Sequence, residues 1–502
     1  MIDIRIDMKN ISRKLFFFAI FLFITVFYTH IHPLMMYDGD DWMTFSWIRW
    51  PIPWFNYWNP TKVLPEDAGL IVGDLSANII YPLIGDYQKS IVIGCSLFLA
   101  AIITVYMTIF ARLIKRKFNL SDFHVALYTL VFLAFHFWVF QGMKVNCQYL
   151  FGEKNICCMF HYVLPAVWNA SMVMFLMQQR DGEYVHLEKG DSIKKTLFYI
   201  GIYLSICSSI FFSVILALYV FFTLAMKFTK ENMSKEGLKN FYNEHKLFVA
   251  IVIFWLISLL FESQGGDASK VGKSFLDMPF AVTANNILVI GKQISGHFLG
   301  FMGGIIVFAG GTYWRNKNIE AVDAILKRDV PFFAICSVLS FAYVYLVAAK
   351  AGGWYVLRGA VHFSTCFFLF MILIECAIYF FTKNASWRAL MLPIFVLAIL
   401  INTSSGKSHL REASYDGRPA SEAAVFTQFL IDQVVEAEQN GQTEMDLHVP
   451  VGDANDNFPH PLYMGNRVSK TLLRHGVISR PIKITVVPDE SVNERFRIAI
   501  PK

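Results

Sequence analysis

Apolar residues fall in long unbroken blocks, not in the short alternations of a soluble domain. Nine of these blocks predict helical membrane spans: 15–36, 91–114, 123–140, 156–177, 247–261, 296–312, 332–349, 360–381 and the short 388–401. The warrant is length, since about 20 apolar residues in a helix cover the hydrocarbon core. A further block, 197–226, has basic flanks on both sides and a polar knot, Ser205, Cys207, Ser208 and Ser209, near its middle. It predicts a re-entrant hairpin that enters and leaves on one side; two tightly connected full spans give the same sidedness.

Charge placement orients the blocks. Lys and Arg gather at 112–117, 180–195, 227–246, 315–328 and 383–388, which marks these connections as cytoplasmic. Arg5, Lys9, Arg13 and Lys14 precede the first block, which is long and lacks a small-residue cleavage site. It reads as an uncleaved span with its N-terminus, residues 1–14, in the cytoplasm. The membrane domain is then 15–401, with a long outside loop at 37–89 and an outside C-terminal domain at 402–502. Composition agrees: 55% of the 502 residues are hydrophobic, only 16% are charged, and Phe occurs 48 times, too little charge to cover a soluble surface. The net charge of +6 comes with no basic groove or aromatic RNA-binding signature, so no nucleic-acid partner is expected. Of eight cysteines, Cys147, Cys157 and Cys158 cluster near an outside loop; a disulfide from Cys147 and free thiols are both open.

The tail has a different pattern. Phe426, Phe429, Leu430, Val434 and Ala437 recur at helical spacing before Gly441, a plausible C-cap. Leu447 and Val449, then Ile482, Ile484 and Val486, alternate with polar neighbours as strands do. The fold class expected is therefore mainly α, a polytopic helical bundle with a small C-terminal α/β domain. No internal repeat hints at the inverted halves of a transporter.

The candidate chemistry begins where the first block ends. Asp38, Asp40 and Asp41 put three carboxylates within four positions, and charges this close raise at least one pKa unless compensated. Such a cluster suits a general base, a divalent cation, or a solvated acidic turn. Trp42, Trp47, Trp50, Trp54 and Trp58 follow within seventeen residues, either as an interfacial belt or as the wall of a sugar pocket. Cationic candidates in outside loops are Lys270, Lys273, Lys350 and Arg358; Arg358 is the best phosphate ligand because a guanidinium grips with two parallel hydrogen bonds. A snorkelling role at a span end is its plainer reading. Glu262, at the end of the fifth span, is a second acid or a structural partner for one of these cations.

The order of basic leader, span, Asp-Asp-Trp (40–42), Trp58-Asn59-Pro60 and Leu64-Pro65-Glu66 resembles the polytopic bacterial glycosyltransferases of the GT-C type. It is most similar to the serotype-converting O-antigen glucosyltransferases often carried by prophages. The tail motifs Leu447-His448-Val449-Pro450, Phe458-Pro459 and Val487-Pro488-Asp489 add to the likeness. The resemblance implies transfer of glucose from undecaprenyl-phosphate-glucose to O-antigen repeat units on the periplasmic face of the bacterial inner membrane. It places the acidic motif on Asp40 and Asp41 with Asp38 beside them, and the acid that ends a middle span on Glu262. The residues themselves, apart from the resemblance, set Trp42, Trp54, Trp58 and Glu66 beside Glu262 toward sugar and acceptor, and the four cations toward the donor phosphate. The family's cationic residue after a Gly is absent here, where Gly265-Gly266 is followed by Asp267. No cofactor is required beyond an optional divalent cation. Two other functions fit a polytopic chain: an O-antigen polymerase, expected to concentrate arginines in large middle loops, and a transporter or flippase of lipid-linked glycans. The latter needs ionisable groups inside spans, where this chain offers His124, His136, His161 and Glu375.

Overall fold

The computed structural model describes residues 4–51, 59–140, 150–153, 155–178, 192–263, 278–315, 320–384, 418–452 and 464–500. The first part of the chain forms α1 (Ile4–Val26), α2 (Gly39–Thr44), α3 (Val63–Leu75), α4 (Tyr81–Ile84), α5 (Tyr87–Phe118) and α6 (Asp122–Trp138). The middle forms α7 (Ile156–Cys158), α8 (Leu164–Gln178), α9 (Ser192–Ile206), α10 (Ser213–Lys227) and α11 (Lys235–Glu262). Then come α12 (Phe280–Gly291), α13 (Gly296–Arg315), α14 (Glu320–Lys350) and α15 (Phe363–Lys383). The tail supplies α16 (Ala420–Gln439), β1 (Glu444–Val449), α17 (Gly465–Arg474), β2 (Lys483–Pro488) and α18 (Glu490–Phe496).

The chain is thus mainly helical and membrane-embedded, and among the described residues seven helical runs are long and apolar enough to cross a bilayer. Five of them, Ser12–Ile31, Tyr87–Phe118, Ile156–Gln178, Leu326–Lys350 and Gly359–Lys383, cover expected spans, as does Lys235–Glu262. The expected span at 123–140 is the shorter apolar helix Asp122–Trp138, and that at 296–312 lies in α13. The expected span at 388–401 lies outside the described residues. Aromatic stacking fills the centre: Phe110 of α5 lies on Phe132 of α6 with ring centroids 3.9 Å apart, and His136 stacks on Phe151.

The expected outside loop 37–89 has structure of its own. Its second half, Pro60–Ile84, is a continuous helical run, itself among the seven. Lys62, Glu66, Asp67 and Asp74 dilute its hydropathy, but three of the four carboxylate and amine groups are turned toward protein. Glu66 meets Arg49, Asp67 accepts the Arg49 backbone N–H, and Asp74 meets Arg474. Ile71, Leu75, Ile79 and Leu83 are left exposed. Gly69 and Gly73, one turn apart, let α3 pass against α2: a Cβ on them would stand 2.5 Å from Thr44 Cγ2 and 2.6 Å from Phe45 Cδ1.

The apolar run 197–226 is broken at its serines. Ser205 and Ser208 turn their hydroxyls onto the carbonyls of Gly201 and Ser205, and the Asn169 amide donates to Ser208 Oγ at 2.8 Å. These side chains and their neighbours satisfy backbone groups that the helix releases. At the apex the Cys207 carbonyl accepts the Leu64 N–H at 2.9 Å, and Tyr203 donates to the Pro51 carbonyl. The break therefore sits at the same end of the bundle as α3.

The tail folds as the alternation predicts, with β1 and β2 parallel in a two-stranded sheet that pairs Leu447 with Val486. Gly441, at φ +76°, follows α16 and closes its end. The domain docks beside α2 and the start of α5. Thr427 donates to the Met36 carbonyl, Gln88 to the Ala424 carbonyl, Thr471 to the Trp42 carbonyl, and Arg474 grips Asp74 with two bonds of 2.7 Å. His475 is buried in this seam, its Nδ1 2.7 Å from the Tyr87 hydroxyl, and burial pushes its pKa from 6.5 down to about 4 although Asp74 pulls it up. A depressed histidine contributes stability that is present above 6.5 and lost as pH falls through about 4. The thermal stability of the purified chain should therefore fall between those pH values, by up to roughly 3 kcal/mol from this group. The fall should be smaller in His475→Gln; equal slopes would remove His475 from the docking.

Candidate functional site

The acidic cluster is built by one short helix. After α1 and a π-turn at Phe27–Ile31 the chain runs extended to Asp38, the N-cap of α2. Asp41, three residues on, reaches back to accept the N–H groups of Tyr37 and Asp38 at 3.0 and 3.1 Å. Its other oxygen accepts the Cys157 N–H at 2.7 Å, which ties α2 to α7. The side chain is fully buried. That burial pushes its pKa up to about 7 against the pull of the three amides, and the neighbouring Asp40 adds to the rise.

Asp38 is also buried and accepts from the Asn155 amide, whose own oxygen accepts the Cys158 N–H at 2.9 Å. Asp40 points elsewhere. Its side chain is 31% exposed and meets Arg467 of α17 at 3.2 Å. Of the three adjacent carboxylates, two are thus built into the joint between α2 and α7, and Asp40 alone reaches solvent.

The turn that Asp41 holds has a second side. Cys158 Sγ accepts from Arg358 Nη1 at 2.8 Å, and the guanidinium carbon lies 5.1 Å from the ring centroids of both Tyr162 and Trp354. Arg358 precedes the 3-10 turn Gly359–His362 that leads into α15. The three residues of α7 therefore join the acidic cluster to a guanidinium held between two aromatic rings. A π-turn, Met159–Val163, follows at once, a backbone irregularity common at functional sites. It carries His161, whose Nε2 is 4.0 Å from Glu66 Oε1.

Glu66 is 2% exposed and grips Arg49 in bidentate fashion at 2.7 and 2.8 Å. Glu262, at the end of α11, is buried against Asn59, Thr61 and Lys62, with the Asn59 amide nitrogen turned to its carboxylate. These two acids thus have protein partners across the long helical run. Trp42 is completely buried, which removes it from any surface on which a sugar ring could stack. Lys350 ends α14 half-buried, beside the turn that leads to Arg358. Trp54, Trp58, Lys270 and Lys273 lie outside the described residues, as does Cys147. Among the described residues no three His, Cys, Asp or Glu side chains converge to hold a metal ion.

Sequence reading did not single out Arg49, Asn155, Arg467 or Lys470. Arg467, Lys470 and Arg474 do recur at i, i+3 and i+7 along α17, a signal for one basic face. Nothing in the chain tells which carboxylates that face meets, because Arg467 and Asp40 are 427 positions apart. No family model, curated protein or solved structure matches the chain, so its site is read from its own residues and their geometry.

Proposed function

We propose that the chain is a glycosyltransferase of the bacterial inner membrane. In this reading it moves glucose from undecaprenyl-phosphate-glucose to O-antigen repeat units on the periplasmic face, with its N-terminus in the cytoplasm and its C-terminus in the periplasm. The observation that carries the reading is the partly exposed Asp40 carboxylate, set beside Arg467 and next to Asp41, which α7 joins to Arg358.

Asp40 takes the proton from an acceptor hydroxyl as its oxygen attacks the anomeric carbon of the glucosyl group. The bond from that carbon to the phosphate oxygen breaks, and the electron pair leaves with the polyprenyl phosphate. A guanidinium preorganised between two rings suits the charge that develops on that phosphate. Arg358 has this setting, with Lys350 near it in sequence as a second cation. A divalent cation is the alternative counter-charge, and the membrane lipid supplies the donor's environment.

Membranes containing the chain, given radiolabelled polyprenyl-phosphate-glucose and a lipid-linked O-antigen acceptor, should transfer label to the glycan. Arg358→Ala should raise the KM for the donor and spare that for the acceptor. Absence of transfer by the parent chain under these conditions would overturn the reading.

A further inference from the structure

We propose that Trp47, held over Asp40's neighbourhood by α17, is a stacking platform for a sugar ring of the acceptor glycan, an inference that rests on the proposed transfer. After α2 the turn closes with the N–H groups of Ser46 and Trp47 on the Met43 carbonyl, each at 3.1 Å. The next residues belong to no helix or strand. Arg49 turns inward to Glu66, while Trp47, Ile48 and Trp50 are 45, 60 and 55% exposed.

What distinguishes Trp47 from its neighbours is its partner. Lys470 of α17 sets its ammonium 5.8 Å from the centre of the Trp47 ring. Arg467, three residues earlier on the same helix, holds Asp40. Side chains at i and i+3 of a helix stand about 5–6 Å apart. One face of α17 therefore carries, one helical turn apart, the partners of an exposed indole and of a partly exposed carboxylate. The ammonium comes from the polar tail domain, which puts this ring on the water side of the site.

That juxtaposition has the chemistry a pyranose needs. Lys470 steadies one face of the indole, the C–H face of the sugar lies on the face left open, and a neighbouring hydroxyl comes within reach of Asp40. A membrane headgroup is the competing occupant of an exposed tryptophan. The attachment of Lys470 to the tail domain, whose neighbouring Arg467 holds Asp40, favours the glycan, and the lipid arm of the test decides between them.

The test uses the full-length purified chain and delipidated O-polysaccharide as the probe, with no donor present, and reads binding from tryptophan fluorescence. Trp47→Ala should weaken binding by about ten-fold or more, Trp47→Phe by less, and Trp314→Ala, at the exposed end of α13, not at all. Lys470→Glu should weaken it several-fold and carries the test if Trp47→Ala does not fold. Unchanged binding in both Trp47→Ala and Lys470→Glu overturns the subsite, as does a parent chain that binds no polysaccharide. Quenching of the Trp47 share by brominated lipids, with none by polysaccharide, overturns it in favour of a headgroup contact. Polysaccharide binding that depends on Trp47, in a chain that transfers no glucose, supports the subsite and overturns only the transfer.

Discussion

Asp40→Asn is expected to lower glucose transfer by at least about a hundredfold while the protein still folds, since a positioned general base contributes roughly 10²–10⁴ in rate. Asp41→Asn, one residue along, should fail differently. Asp40 reaches solvent and meets the Arg467 guanidinium at a partly exposed site, so an amide of the same shape is tolerated there. Asp41 has backbone N–H donors on both oxygens, and an amide must turn its own NH₂ against one set of them. Leaving a buried donor unmet costs about 1–3 kcal/mol. The Asp41 variant should therefore lose thermal stability first and activity only as a consequence. Its pH dependence should differ too. The folded Asp41 keeps its proton up to about pH 7 instead of 3.8, so its contribution is full below the ordinary carboxylate range and lost as pH rises through 7. Asp41→Asn removes that slope. Transfer rates and unfolding midpoints measured on the same preparations separate the two residues. A fully active Asp40→Asn protein would sink the proposed base.

Much of the bundle was legible in the chain because hydropathy acts through length. A block such as 360–381 is apolar over most of its run, Glu375 apart, and it forms α15 at the centre of the fold. The helical run at Pro60–Ile84 was hidden for the opposite reason. Its hydropathy is the lowest of the seven, because charges satisfied by residues as distant as Arg474 are averaged in as if they faced lipid. The acidic cluster was visible as a motif, but its division of labour was not. Asp41 is consumed by an amide 116 positions away and Asp40 is addressed by a guanidinium 427 positions away. Trp42 and Trp47 look alike in sequence. One is fully buried, with its carbonyl held by Thr471, and the other lies open beside Lys470, a difference set by contacts with α17 that local sequence does not show.

Lys117→Met should be among the most damaging single changes in the bundle, at about 3–5 kcal/mol, the usual cost of removing one partner from a buried ion pair. Lys117 ends α5 at the opposite end from the tail domain and pairs with both Glu375 of α15 and Asp329 of α14. Glu375 is 1% exposed and Asp329 11%, and Arg328 supplies a second cation to Asp329 at 2.8 Å. Without the lysine two carboxylates face each other where water cannot screen them. Changing Lys117→Met, Glu375→Gln and Asp329→Asn together removes the buried charges, leaves only the exposed Arg328 guanidinium to water, and should recover most of the loss, since a buried ion pair replaced whole is often neutral. Unfolding midpoints in detergent decide this: a single variant as stable as the parent, or a triple variant no better than the single, contradicts the assignment. The same residues bear on the transporter alternative. A carboxylate that carries protons or solute along a path must be reached from a cavity, whereas Glu375 is locked to a lysine with Phe118 and Phe333 packed over the ammonium. Glu375→Gln should therefore leave glucose transfer close to the parent rate in membranes where the protein folds. A complete loss of function there, with folding intact, would move the working centre of the molecule from Asp40 to Glu375.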